Sequence, residues 1–178
     1  VDILNCLGCD AIFDSGRVIC NSKHANKHKI PEILMHKMRS SVIFLGSILS
    51  RFNKAELTYP GGCEIGARPI DIHIEALKKL GVDIKECENS LKCICQGIIP
   101  QKIILPFPSV GATENIMLAA SLIPQKTTII NAAKEPEIIN LADYLRSMGG
   151  LKVNSENKET LLTLYKETCK AYQELYLI

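Results

Sequence analysis

One pattern occurs three times along the 178 residues, and it restricts the fold more than any other feature of the sequence. In each copy the end of an apolar helix runs into a glycine, and two strand-like segments follow around a polar turn. The three glycines are Gly8, Gly81 and Gly149. A glycine directly after a helix is a natural left-handed C-cap, and two short strands around a polar turn form a hairpin. The pattern therefore predicts a repeated unit of helix, cap and hairpin.

The repeat extends upstream of the second and third glycines. Each of these copies has a first helix (39–52 and 113–122), a strand (55–59 and 127–131) and a second helix opened by a proline (69–80 and 136–148). The first helices are apolar on most faces, which is typical of helices buried inside a domain. Alternating helices and strands of this kind predict an α/β fold built from repeats.

Composition and charge exclude several classes of function. A net charge of +2, 5% aromatic residues and no Trp argue against a nucleic-acid-binding protein, because such proteins need basic surfaces and stacking platforms. No apolar run approaches the roughly 18 to 20 residues of a membrane span, and the N-terminus has no basic leader. We therefore expect neither a nucleic-acid nor a membrane partner.

The eight cysteines are expected to be reduced thiols that pack as small apolar side chains. Zinc is the alternative, because Cys6 and Cys9 form one close pair and Cys93 and Cys95 another. The pairs lie more than eighty residues apart and their spacings do not match, whereas a strong zinc signal needs paired ligands at matched spacings. The sequence predicts no metal and no cofactor.

Residues 60–73 contain the strongest indication of chemistry. Cys63 and Arg68 lie in a loop with three glycines, and Pro69 then suits the first turn of a helix, so that Arg68 lies at the positive end of a helix dipole. This copy of the repeat is about five residues longer than the other, and the excess falls in the loop. An anion site with a reactive thiol is one interpretation. A glycine-rich surface turn with an incidental cysteine is the other.

A second possible anion site precedes the helix of the next copy. Ser109 and Thr113 are candidate capping residues there, and Gly111 would allow a ligand to approach the backbone amides. Helix N-termini of this kind bind phosphate. The alternative is a helix start that is capped and has no ligand.

Four segments resemble the UDP-N-acetylglucosamine enolpyruvyl transferases, which open bacterial peptidoglycan synthesis. They are 37–41 (KMRSS), 60–73 (PGGCEIGARPIDIH), 108–117 (PSVGATENIM) and 131–140 (NAAKEPEIIN). The resemblance is good over about residues 1 to 154. It implies a cytoplasmic two-domain enzyme in which each domain repeats a helix-and-sheet unit three times, with helices inside and sheets outside. The chain then corresponds to part of the first domain, with a hairpin end at 1–28, units at 29–100 and 101–165, and a tail at 166–178.

The resemblance also implies a reaction. These enzymes add the 3′-hydroxyl of UDP-N-acetylglucosamine to C2 of phosphoenolpyruvate, pass through a tetrahedral adduct, and eliminate phosphate. Cys63 matches the loop cysteine that acts as acid and adduct-forming nucleophile and that fosfomycin alkylates. Arg68 and Arg39 match arginines of the active site, Arg68 being the one that contacts phosphate. An ordinary salt bridge is the alternative for Arg39.

The remaining matched residues belong to the part that binds the nucleotide sugar. Ser109, Val110 and Gly111 match the segment that holds the UDP diphosphate, Pro69, Asp71, Ile72 and His73 lie in the nucleotide-binding stretch, and Glu135 and Glu137 match an acidic pair near the site. For His73 a packed or solvated helix histidine is the alternative, and for the two glutamates a favourable position at a helix start.

The sequence departs from the family at several points. The family's lysine-asparagine pair and the second domain, with its aspartate and a further arginine, have no counterpart. His36 stands where relatives usually have arginine, and Phe107 precedes Pro108 where some have lysine. A cleft enzyme that lacks one wall is expected to be inactive. Two alternatives stay open, a non-catalytic paralogue that binds a nucleotide sugar and the sister enzyme that acts on shikimate phosphate.

Overall fold

The computed structural model describes residues 1–59, 70–148, 151–156 and 161–166. Its helices are α1 (Asp2–Cys6), α2 (Glu32–Lys37), α3 (Phe44–Phe52), α4 (Asp71–Lys79), α5 (Val110–Ala120) and α6 (Pro136–Ser147), and a 3-10 helix, Arg39–Ile43, leads into α3. Its strands are β1 (Asp10–Asp14), β2 (Arg17–Asn21), β3 (Lys29–Ile30), β4 (Lys54–Thr58), β5 (Asp83–Cys87), β6 (Ser90–Ile94), β7 (Lys102–Ile104), β8 (Thr127–Ile130), β9 (Leu151–Glu156) and β10 (Leu161–Lys166).

Two four-stranded sheets have the same topology. Their strand orders are β3-β4-β6-β5 and β7-β8-β10-β9, and in each the first pair is parallel while the other two pairs are antiparallel. The parallel pairs also begin alike. The first residue of the first strand is a lysine in both sheets, Lys29 paired with Glu56 in one and Lys102 paired with Thr128 in the other. The two sheets are therefore copies of one unit.

The hairpin of β1 and β2 corresponds to the hairpin of β5 and β6, yet it forms a two-stranded sheet. Val18 on β2 occupies the position that Leu91 occupies on β6. Leu91 pairs with Leu57 of the neighbouring strand β4 and is fully buried, whereas Val18 is 47% exposed. No strand lies beside β2 in the described part of the chain, and this explains the exposure.

A glycine follows α1 and another follows α4, and each turns the chain out of the helix as the repeat predicts. Gly8 has a φ of 92° and Gly81 a φ of 86°. At each site the next residue bonds back to the helix, Cys9 N–H to the Leu4 carbonyl at 3.0 Å and Val82 N–H to that of Leu77 at 3.2 Å. The caps turn the chain from a helix into a hairpin.

The first helices of the two copies, α3 and α5, pack against each other inside the molecule. Leu45, Ile48 and Leu49 of α3 and Ile116 and Met117 of α5 have no exposed surface. The two backbones approach closely at Gly46, where a Cβ atom would lie 2.4 Å from the Asn115 carbonyl oxygen. A glycine is therefore needed at this crossing.

Some predicted elements differ in the structure. The helix expected at 39–52 is divided, because residues 39–43 form the 3-10 helix and the Ser41 hydroxyl donates to the Met35 carbonyl at 3.1 Å. The helix expected at 113–122 begins earlier, at Val110, because Ser109 is its N-cap. The repeat pattern did not predict α2 and β3, which have only six and two residues.

The described residues contain neither a membrane-spanning helix nor a cluster of metal ligands. None of the described helices has both the length and the apolar character that a membrane span needs. The described residues also contain no group of three or more His, Cys, Asp and Glu side chains that could hold a metal ion.

Candidate functional site

The starts of α4 and α5 meet at His73 and Gly111. His73 is the third residue of α4, and Gly111 is the second residue of α5. A Cβ atom at Gly111 would lie 2.9 Å from Cε1 of His73 and 3.2 Å from its Nε2, so the imidazole ring lies against the backbone of α5. The fold thus brings together two separate predicted segments, Asp71 to His73 and Ser109 to Gly111.

The first turn of α5 has two amides at this meeting point that no hydrogen bond within the helix uses. Ser109 is the N-cap, and its hydroxyl oxygen accepts from the Ala112 N–H at 3.4 Å. The first intrahelical bond runs from the Thr113 N–H to the Ser109 carbonyl at 3.0 Å. The N–H groups of Val110 and Gly111 precede that bond and have no partner within the helix, which makes this end of the helix attractive to an anion.

His73 is buried and takes part in a network that joins three helices. Asn115 of α5 lies 2.7 Å from it, measured between Nδ2 of Asn115 and Nδ1 of His73. The same Nδ2 donates to the Val42 carbonyl at 3.1 Å, and Oδ1 of Asn115 accepts from the Gly46 N–H at 2.8 Å. Burial lowers the pKa of His73 from 6.5 to about 4. The ring is therefore neutral at physiological pH.

Thr113 connects the start of α5 to the turn before α6. Its hydroxyl donates to the Ser109 carbonyl at 2.7 Å and accepts from the Ala133 N–H at 3.1 Å. In the same turn Asn131 has a φ of 59° and donates from Nδ2 to the Leu105 carbonyl at 3.1 Å. These bonds hold residues 131–135 beside the strand and the helix start of their own unit.

Replacing Thr113 by valine tests this connection. The buried Ala133 N–H loses its acceptor, so we expect the free energy of unfolding to fall by about 1 to 3 kcal/mol, measured by urea denaturation. Thr127 provides the matched control, since it is also fully buried but its hydroxyl has no hydrogen-bond partner in the described part of the chain. Thr127→Val is expected to be neutral or stabilising. Equal losses in the two variants would contradict the proposed role of Thr113.

The two predicted glutamates have different surroundings. Glu135, the residue before α6, is exposed, and its carboxylate accepts from the Lys134 N–H at 2.8 Å. Glu137 lines an apolar groove of about 540 Å³ between α3, α5 and α6 together with Glu114. Burial and the charge of Glu137 both raise the pKa of Glu114. Glu137 thus contributes to an acidic pair in that groove.

Several predicted residues cannot be placed. Cys63, Arg68 and Pro69 lie outside the described residues, and of Arg39 the structure gives the backbone, at the start of the 3-10 helix. In the described residues β4 ends at Thr58 and α4 begins at Asp71, two residues before His73.

The cysteines in the described residues are free thiols. Burial raises the pKa of Cys93 to about 12, and burial together with Cys20 raises that of Cys9 to about 11, which keeps these thiols protonated. Cys87 differs from the prediction of apolar surroundings, because it is the last residue of β5 and is exposed.

Asn115 and Gly46 belong to the network around His73, and neither was predicted to have a role. Asn115 lay inside a matched segment. The sequence feature that could have identified Asn115 is its amide side chain in an otherwise apolar helix, because a buried polar group needs hydrogen-bond partners. Two of those partners are backbone atoms about seventy residues earlier in the chain and the third is the His73 ring 42 residues earlier, so no local pattern could identify them.

A family model and several known proteins match most of this chain. The family model of EPSP synthase (3-phosphoshikimate 1-carboxyvinyltransferase) matches residues 1–171. UDP-N-acetylglucosamine 1-carboxyvinyltransferase 2 of Caldanaerobacter subterraneus subsp. tengcongensis is 46% identical over 149 residues, covering 84% of this chain and 36% of that protein. The UDP-N-acetylglucosamine 1-carboxyvinyltransferase of Finegoldia magna is 40% identical over 161 residues, covering 89% and 38%. The chain thus spans less than half the length of these relatives.

Solved structures show the same fold. The enolpyruvyl transferase NikO from Streptomyces tendae superposes with a TM-score of 0.76 at 16% identity, over 92% of this chain and 38% of that one. EPSP synthase from Acinetobacter baumannii gives 0.70 at 18% identity, over 94% and 39%. These likenesses concern the fold alone, and they confirm the predicted α/β class.

Proposed function

The chain belongs to the EPSP synthase (3-phosphoshikimate 1-carboxyvinyltransferase) family, and from that premise we propose that it forms part of an enolpyruvyl transferase of peptidoglycan synthesis. The enzyme transfers the enolpyruvyl group of phosphoenolpyruvate to the 3′-hydroxyl of UDP-N-acetylglucosamine and releases phosphate. The contact of His73 with the start of α5 carries the proposal, since it joins the two segments that the reaction needs for the nucleotide sugar.

The aminosugar is favoured over shikimate phosphate as the acceptor. Relatives named UDP-N-acetylglucosamine 1-carboxyvinyltransferase are 46% and 40% identical to this chain, whereas an EPSP synthase of known structure is 18% identical. The cysteine loop is also characteristic of the aminosugar enzymes. These two observations support the choice of acceptor.

The start of α5 is proposed to bind the diphosphate of the nucleotide. The free amides of Val110 and Gly111 point out of the helix N-terminus, where the helix dipole favours negative charge. Any side chain at position 111 would meet the His73 ring, so glycine leaves the backbone open to the ligand. Asp71 and Ile72 precede His73 and contribute the remainder of the nucleotide site in this proposal.

The loop is proposed to carry the chemistry on phosphoenolpyruvate. Cys63 donates a proton to C3 while the sugar hydroxyl adds to C2 and passes its own proton to the aspartate that the resemblance places in the second domain. Phosphate then leaves C2 and a C3 proton returns to the Cys63 thiolate, which restores the double bond. Cys63 is also the nucleophile of the covalent adduct and the target of fosfomycin. Arg68 and Arg39 bind the phosphoryl and carboxylate groups, for which the planar guanidinium is well suited. Glu135 and Glu137 complete the proposed set.

The organisation of the protein is a proposal as well. We assign 1–178 to one partial domain with boundaries at 28, 100 and 165, and we propose that a second domain of the same protein closes the cleft. The 178 residues alone are then expected to be inactive, because charge stabilisation and positioning need both walls. A truncated paralogue that only binds a nucleotide sugar is the competing proposal, and turnover by the full-length protein would exclude it.

The test is an assay of phosphate release by the full-length protein that contains this chain. With phosphoenolpyruvate we expect release with UDP-N-acetylglucosamine and none with shikimate 3-phosphate. Cys63→Ser should lower kcat by about 100-fold or more, because a general acid contributes at least that factor. Cys87→Ser is the matched control, since Cys87 is an exposed free thiol at the end of strand β5. Equal activity of the two variants would overturn the role of Cys63, and turnover of shikimate 3-phosphate would overturn the acceptor.

A further inference from the structure

We infer that Asn115 is a positioning residue, which holds His73 as the neutral tautomer with its proton on Nε2 so that this N–H donates to a phosphoryl oxygen at the start of α5. The inference rests on the proposed function and deepens it. It adds one side-chain donor to the backbone amides of the anion site and explains why a buried asparagine lies in the apolar helix α5.

The hydrogen bonds of Asn115 determine the tautomer. Its Oδ1 accepts from the Gly46 N–H, so the other end of the amide is the NH₂ group, which has two hydrogens to donate. One of them is donated to the Val42 carbonyl and the other to Nδ1 of His73, at 3.1 Å and 2.7 Å. Nδ1 therefore accepts, and in a neutral imidazole the proton must be on Nε2.

The Nε2 atom lies beside the start of α5. It lies 3.2 Å from the position of a Cβ atom on Gly111, next to the free amides of the first turn. The His73 side chain is 8% exposed, and Nε2 has no hydrogen-bond partner in the described part of the chain. An N–H donor beside the start of a helix can donate to an oxygen of a diphosphate bound there, in addition to the backbone amides.

The donor is neutral, and this distinguishes it from an ordinary histidine that binds phosphate. The pKa of His73 is lowered by burial, with no contribution from a charged neighbour in the described residues. A positive charge would also be unfavourable at the N-terminus of α5, where the helix dipole is positive. A neutral donor is unchanged when the pH rises through the usual pKa of histidine, whereas an imidazolium would lose its charge and one of its two N–H donors.

The first measurement is the tautomer itself. The chain has four histidines, of which His24 and His36 are exposed and His28 is half-buried, so a ¹⁵N-histidine label gives few signals. Long-range ¹H–¹⁵N correlation spectra of the unliganded protein should show His73 with Nε2 protonated and Nδ1 bare at pH 7, unchanged between pH 5.5 and 8. His73→Gln assigns the signal. A proton on Nδ1, or titration near pH 6.5, would overturn the inference.

The second measurement connects the tautomer to the ligand. UDP is titrated by calorimetry into the full-length protein and into its Asn115→Asp, His73→Leu and His73→Gln variants. The carboxylate introduced by Asn115→Asp would accept from Nδ1–H and reverse the tautomer, so we expect about a tenfold weaker Kd, as for the loss of one hydrogen bond. His73→Leu should lose as much, and His73→Gln, which keeps an N–H donor, should lose less.

The outcomes separate the inference from the proposed function. If the wild type binds UDP and the variants bind equally well, the donor role of His73 is overturned while the anion site stands. If the wild type does not bind UDP, the anion site of the proposed function is overturned and the donor role with it. Because the tautomer is measured in the wild type without ligand, a variant that fails to fold does not prevent a decision.

Discussion

Replacing Gly46 by alanine is expected to destabilise the protein by about 2 kcal/mol or more. A Cβ atom there would lie 2.4 Å from the Asn115 carbonyl oxygen, a backbone atom of a buried helix that cannot rotate away. Overpacking of this kind costs typically about 1 to 3 kcal/mol, and occasionally more. Alanine recovers only about 0.5 to 1 kcal/mol through its better helix propensity. Urea denaturation of the wild type and the variant measures the difference.

The effect should spread beyond the contact, because the two helices would have to separate. Separation lengthens the bond from the Gly46 N–H to Oδ1 of Asn115 and disturbs the contact of Asn115 with His73. Ser50→Ala in the same helix is the control, since the Ser50 hydroxyl is buried and has no hydrogen-bond partner in the described residues. That change should be neutral or stabilising. A Gly46→Ala variant as stable as the wild type would show that the close crossing of α3 and α5 is not needed.

The repeat is the part of the fold that sequence could predict, and the reason is local. A helix end, a glycine and a hairpin lie within about twenty residues, so the signal of each copy does not depend on distant partners. Gly8 and Gly81 show the left-handed φ that the pattern requires. The division at residue 43 was not predictable in this way, because the hydrogen bond from Ser41 to Met35 depends on where α2 packs.

The candidate site was predictable only in part. The segments around His73 and Ser109 were each identifiable, because glycine, proline and capping residues mark helix starts. Their contact was not, since it joins residues 38 positions apart through the packing of α4 on α5. The contacts of Asn115 were the least predictable from the sequence. Its Gly46 and Val42 partners are backbone atoms, and any residue type could supply them.

Acidification is expected to destabilise the protein through His73, by about 3 kcal/mol between pH 6.5 and pH 4. The pKa of His73 is about 4 in the folded protein because burial disfavours the charged ring, while the unfolded chain has the ordinary value of 6.5. Between these values the unfolded state binds more protons, so stability rises with pH across the window. The stabilisation is complete above pH 6.5 and is lost as the pH falls through the window. Two and a half pKa units correspond to about 3 kcal/mol.

Two carboxyl groups also affect the pH dependence of stability in or near this pH range, and in opposite directions. A variant is therefore needed to isolate the contribution of His73. Burial raises the pKa of Glu114, so protonation of this carboxyl on acidification opposes the loss. A hydrogen bond from Lys29 lowers the pKa of Glu56, whose contribution is lost only below its ordinary value of 4.5. His73→Gln cannot titrate, and the difference between wild type and variant therefore contains the His73 contribution. If urea denaturation gives both proteins the same pH dependence from 6.5 to 4, then the imidazole is protonated in the folded state and the bond to Asn115 cannot be the one described, because a protonated Nδ1 does not accept.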